Sequence, residues 1–210
     1  MKILERTTYL ERLMRLKGTP DIKIVTGLRR SGKSELLHQY IEKIKGTDKN
    51  VNIIFIDYAD LSFDDLKNYK ELYKYVESRY VEGMHNMLFV DEVQMCEKFE
   101  LAINSSDLST LFTGRYIEIP VFSFSFSEFC SYFEKNGEEP SALTEFLREG
   151  GLPGSYLYSE AVDKAAYIRD VFNTLIKRDL VEKYHILEEA RMDSLTDFLM
   201  DNISSLTSPN

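Results

Sequence analysis

Only two cysteines and three histidines occur in the 210 residues. Cys96 and Cys130 lack metal-ligand spacing, so both are expected to be reduced and structural. His38, His85 and His185 are scattered along the chain. Their local context suggests no zinc site and no Ser-His-Asp or Cys-His nucleophile. No apolar run approaches the roughly 18 residues of a membrane-spanning helix. Met1-Lys2-Ile3-Leu4-Glu5-Arg6 lacks the apolar core and small-residue cleavage site of a signal peptide, so a cytoplasmic location and no membrane partner are expected. Positive charge is also scarce, with 26 Lys/Arg against 35 Asp/Glu and a net of −9. That balance argues against a protein that coats nucleic acid nonspecifically.

What remains is ordinary globular composition, 43% hydrophobic and 29% charged, enough for one α/β domain and a smaller helical piece. The charge is uneven. Residues 1–50 carry 12 Lys/Arg against 6 Asp/Glu, a net of +6, and the remainder carries 14 against 29, a net of −15. The basic excess surrounds one stretch, Gly27-Leu28-Arg29-Arg30-Ser31-Gly32-Lys33-Ser34, which fits G-x-x-x-x-G-K-[S/T], the phosphate-binding loop. Its context also fits: the β-branched run Ile22 to Thr26 enters it, and Glu35 to Ile41 leaves it as a helix. Gly27 and Gly32 allow the tight turn that brings backbone N–H groups onto phosphate oxygens, and the helix directs its positive end at the same anion. Lys33 supplies a mobile charge for the β- and γ-phosphates, and the Ser34 hydroxyl is a Mg²⁺ ligand candidate. No Asn/Thr-Lys-x-Asp guanine signature is present, which favours ATP over GTP.

An amphipathic helix is expected over Tyr9 to Leu16, a second buried strand over Val51 to Asp57, and a helix from about Asp64 to Tyr80. The third strand, Asn86 to Glu92, is apolar and ends in Asp91-Glu92, a Walker B pattern. Asp91 would hold Mg²⁺ directly or through water, and Glu92 would orient or deprotonate the attacking water. Asp57 ends an apolar strand too but has no following Glu, so it ranks second. Tyr116 to Pro120 reads as another strand. Arg115, just ahead of it, is a candidate arginine finger for this subunit or a neighbour, and equally a structural ion pair. The alternation Phe122-Ser123-Phe124-Ser125-Phe126-Ser127 signals a half-buried extended segment, and Ser127-Glu128 is expected to open a helix. Gly150-Gly151-Leu152-Pro153-Gly154 punctuates the chain most strongly. Helical patterns then run over Ala161 to Leu187 and Arg191 to Ile203. Ser208-Pro209 looks like a helix start, so the C-terminus reads as truncated.

Together these segments resemble a family of prokaryotic P-loop ATPases of the AAA+ superfamily. The segments that carry the resemblance are Thr26 to Ser34, Asp91 to Gln94, Thr113 to Tyr116, Phe124 to Phe129 and Gly150 to Pro153. Lys177 to Asp179 and Phe198 to Asn210 are similar to the family's C-terminal region, which continues into a winged-helix-like module. The resemblance implies a further strand, ending in a polar sensor, between the Asp-Glu strand and Thr113. Here only Cys96 to Phe112 lies between them, so the sensor strand is expected to be missing. Three arrangements are open: residues absent from this chain, direct pairing of the first and third strands, or a strand supplied from elsewhere, such as a second copy.

The expected fold is therefore an α/β P-loop domain with a parallel sheet flanked by helices, over residues 1–150, and an incomplete helical region over 151–210. The expected function is Mg²⁺-dependent ATP binding with hydrolysis. The alternative is a nucleotide-gated switch or adaptor for a protein or DNA partner engaged through the C-terminal region. A homo-oligomer is a further open partner class.

Overall fold

A computed structural model describes residues 3–99, 101, 116–176 and 189–203. Arg115, the Thr113-Gly114 pair, the 177–188 stretch and residues 204–210 lie outside the described residues. The molecule is mixed α/β, with short parallel sheets flanked by helices.

α1 (Thr7–Arg15) and α2 (Lys33–Thr47) pack side by side through Leu10, Leu13, Leu36, Tyr40, Ile41 and Ile44. The Tyr40 hydroxyl donates to the Leu13 carbonyl at 3.1 Å, and burial pushes its pKa up to about 12, so it stays a neutral donor. On this helical layer lie two parallel pairs of strands. β1 (Ile22–Thr26) pairs with β4 (Tyr116–Pro120), and β2 (Val51–Asp57) pairs with β3 (His85–Asp91). Strand side chains alternate between faces, and the register shows the consequence. Ile53, Phe55, Met87 and Phe89 join the core under α1 and α2. Ile54, Ile56, Leu88 and Val90 join a second core with Leu72 and Val76 of α3 (Tyr69–Arg79).

The continuous apolar run of β2 is thus explained by cover on both faces. The β1–β4 pair differs: Val25, Ile119 and Val121 meet the α1–α2 core, whereas Ile24 is 38% exposed and Tyr116 67% on the opposite face. Among the described residues the first and third strands do not pair, so their direct pairing is not the arrangement adopted. Two adjacent helices, each about 10 Å wide, span about four strand spacings of 4.8 Å. Val25 of β1 and Phe89 of β3 share the core beneath these helices, so both pairs pack on the same helical layer.

Two local expectations change. The helix predicted over Asp64 to Tyr80 divides into a 3-10 turn, Leu61–Leu66, and α3, because the Asn68 side chain accepts from the Lys70 amide and starts a new helix. The helix expected from Ser127 begins at Phe126. Ser125 is its N-cap, and Ser125 and Glu128 form a reciprocal capping box. This helix, α4 (Phe126–Phe133), packs with α5 (Pro140–Glu149) around Phe129 and Phe146, with Tyr156 against them. The extended segment before it alternates as expected, Phe122 being 65% exposed and Phe124 7%. α6 (Ala161–Thr174) and α7 (Glu189–Asp201) follow.

Candidate phosphate site

The loop between β1 and α2 is built around two glycines that no other residue replaces cheaply. Gly27 has φ +138°, and a Cβ there would sit 2.0 Å from the Val121 carbonyl oxygen. The close approach exists because the Val121 amide donates to the Thr26 carbonyl at 2.7 Å, extending the β1–β4 ladder past its last register pair. Gly32 has φ +93° and is the left-handed N-cap of α2, with no side chain capping the first turn. The early amides of a helix lack intrahelical acceptors, so an uncapped N-terminus suits an anion. Arg30 also adopts positive φ, +63°. Ser31, within the loop, is fully buried and its Oγ has no hydrogen-bond partner. Buried polar groups are rarely left so, and this one lies in the loop itself.

An open cavity of about 330 Å³ adjoins the loop. Arg29, Arg30, Gly32, Lys33 and Ser34 line it, and so does Glu92, just past the end of β3. Glu35 and His38 line it too, and sequence reasoning passed over both. The signal was available, since His38 stands four residues after Ser34 and shares its helix face. Phe55 of β2 packs against the His38 ring, with centroids 5.1 Å apart.

The Lys33 ammonium folds back over the loop and donates to the Gly27 and Leu28 carbonyls at 3.1 and 2.8 Å. Glu92 sits in the left-handed region at φ +51°, and its carboxylate accepts from the Gln94 amide. Asp91 occupies the same strand end, where its Oδ1 accepts from the Glu92 amide at 3.0 Å, but it does not line the cavity. Leu28, half exposed, lies outside the lining as well. The structure therefore gathers the loop and Glu92 around one space and leaves Asp91 beside it. Arg115 lies outside the described residues.

The loop also touches the chain's later part. The Arg30 guanidinium lies over the Tyr167 ring of α6, 4.9 Å from its centroid, and a Cβ on Gly154 would meet the Tyr167 hydroxyl at 2.0 Å. The Phe124 amide donates to the Gly151 carbonyl at 2.7 Å. The glycine-rich stretch thus serves close backbone packing as well as punctuation.

Residues 19–106, which span β1 to β3 and the 27–34 loop, match the family model of an AAA domain. An uncharacterized protein of Haemophilus influenzae is 26% identical over 235 aligned positions, covering 99% of this chain and 58% of its own length. An uncharacterized protein of Methanocaldococcus jannaschii is 25% identical over 236 positions, covering 96% and 51%. The chain thus spans about half the length of these relatives. Because the first alignment extends over 235 positions and the chain has 210 residues, at least 25 positions face relative residues that this chain lacks. No solved structure matches.

Proposed function

We propose that this chain binds Mg²⁺-ATP at the 27–34 loop and hydrolyses it. The observation that carries the proposal is the cavity lined both by the basic 27–34 loop and by Glu92. The loop backbone and Lys33 would hold the phosphates, while Arg29 and Arg30 raise the local positive potential. Lys33 already hydrogen-bonds loop carbonyls, so a triphosphate would exchange those acceptors for stronger, charged ones. Glu92 would orient or deprotonate water at the cavity edge, and Arg115 would read the γ-phosphate.

Bound Mg²⁺ supplies neutralisation of phosphate charge. Among the described residues no group of three or more His, Cys, Asp or Glu could hold a metal alone. Mg²⁺ in nucleotide sites takes one or two side chains together with phosphate oxygens and water, and Ser34 with Asp91 is a donor set of that kind. The AAA domain match supports the reading at the level of the family. Residues 1–150 would form the nucleotide-binding part and 151–210 a helical region.

A second reading, a nucleotide-gated switch, is favoured by the Arg30–Tyr167 contact, which ties the phosphate loop to α6. Phosphate release from Mg²⁺-ATP by the wild type, Lys33→Ala and Glu92→Gln separates the two. Turnover lost in both variants, with binding kept in Glu92→Gln, supports the enzyme. Binding without turnover in the wild type supports the switch, and tight binding by Lys33→Ala overturns the site.

A further inference from the structure

Arg6 is only 3% exposed, although it precedes α1 and carries no recognisable motif. Every face of its guanidinium is engaged. Nε and Nη2 donate to the two carboxylate oxygens of Glu128 at 2.8 and 3.0 Å, a bidentate fork 122 residues apart in sequence. Nη1 donates to the Ser31 carbonyl at 3.0 Å and to the Phe122 carbonyl at 2.8 Å. The Tyr9 ring lies 4.5 Å and the Phe124 ring 5.3 Å from its central carbon. Burial pushes the Glu128 carboxyl up, but hydrogen bonds from Arg6 and the Ser125 amide, with the Arg6 charge, outweigh it and hold the group below the usual carboxylate range.

The contact with Ser31 has a stereochemical consequence. In a trans peptide the C=O and the following N–H point in opposite directions. A Ser31 carbonyl pinned toward Arg6 therefore turns the Gly32 N–H away from Arg6, and Gly32 lines the cavity. Arg6 in turn is held by Glu128, which is itself tied down as the capping-box partner of Ser125. We infer that the Arg6–Glu128 pair is a positioning device for the phosphate loop, setting the Ser31–Gly32 peptide so that its N–H is presented to a bound phosphate. The inference rests on the proposal that the loop binds a nucleotide.

Lysine keeps the charge but has no planar fork, so it cannot span the carboxylate and two carbonyls at once. Titrations with Mg²⁺-ATP and with inorganic tripolyphosphate test the inference in the wild type and Arg6→Lys. Because Arg6→Lys could fail to fold, the double variant Arg6→Met/Glu128→Leu is measured beside it. Replacing a buried ion pair by apolar groups of similar size commonly preserves folding. The expected result is a folded variant whose affinity for both probes falls by the same factor, about 10-fold or more, as for one oriented hydrogen bond to a charged group. The Gly32 amide resonance, displaced by either probe in the wild type, would no longer follow them. Wild-type affinity in both variants overturns the inference, as does a loss seen with ATP but not with tripolyphosphate. A wild type that binds neither probe overturns the nucleotide reading itself, and with it this inference.

Discussion

Asp57 and Asp91 stand directly opposite each other, as Cα partners in the last register of the β2–β3 ladder. Each uses one oxygen to close a local turn: Asp57 Oδ1 accepts from the Ala59 amide at 2.9 Å, and Asp91 Oδ1 from the Glu92 amide at 3.0 Å. Two carboxylates therefore mark the strand ends where ligands bind in parallel sheets, and only one of them is followed by an acid that reaches the cavity.

The pair predicts an asymmetry. Asp91→Asn should weaken Mg²⁺-dependent nucleotide binding or turnover by about 10-fold or more, whether Asp91 holds the metal directly or through water. Asp57→Asn should change either far less. Mg²⁺ titration of nucleotide binding in the two variants checks this, and an equal or larger effect at Asp57 would exchange their roles.

Gly27→Ala should destabilise the fold. Its φ of +138° is strained for any side chain, at about 1–3 kcal/mol, and the new Cβ would meet the Val121 carbonyl at 2.0 Å. At this size each kcal/mol lowers Tm by about 2–4 °C. Gly46→Ala is the control. It lies in the last turns of α2 with ordinary φ, and a methyl added there would meet no atom within 4 Å, so the change should be neutral or stabilising, by up to about 1 kcal/mol. Thermal unfolding compares the two.

Stability should fall on acidification through Asp48. Hydrogen bonds from His85, Lys17 and the Asn50 amide hold its carboxyl well below the usual range. A carboxyl depressed in the folded state contributes its full stability above its unfolded value, near 3.8, and loses it as the pH falls through the folded value. Asp48→Asn should therefore be less stable than the wild type near neutrality, and the gap should narrow as the pH drops below about 4. Tm measured from pH 6 downward tests the sign.

Much of the candidate site was legible because it is contiguous. The eight residues from Gly27 to Ser34 carry their own turn, charge and helix start, and the sequence pattern located the four strands of the described residues, with β3 beginning and ending one residue earlier than expected, at Asp91 rather than Glu92. His38 was legible in principle from helical spacing. Arg6 was not, since nothing near it in sequence distinguishes a buried, forked arginine from an exposed one. Glu128 likewise reads only as the acid of a helix cap until Arg6 is brought to it.

The sequence alone determined the Gly27–Ser34 turn, the strands and the alternation of their faces, because these follow from contacts within a few residues and from side-chain periodicity. Tertiary structure decided which strands pair, since edge N–H and C=O groups are alike in every strand and only helix cover and chain geometry choose among them. It also decided that Arg6 grips Ser31. A charge held without water needs partners on every side, and Glu128, Phe122 and Ser31 become its neighbours only when the chain has folded around it.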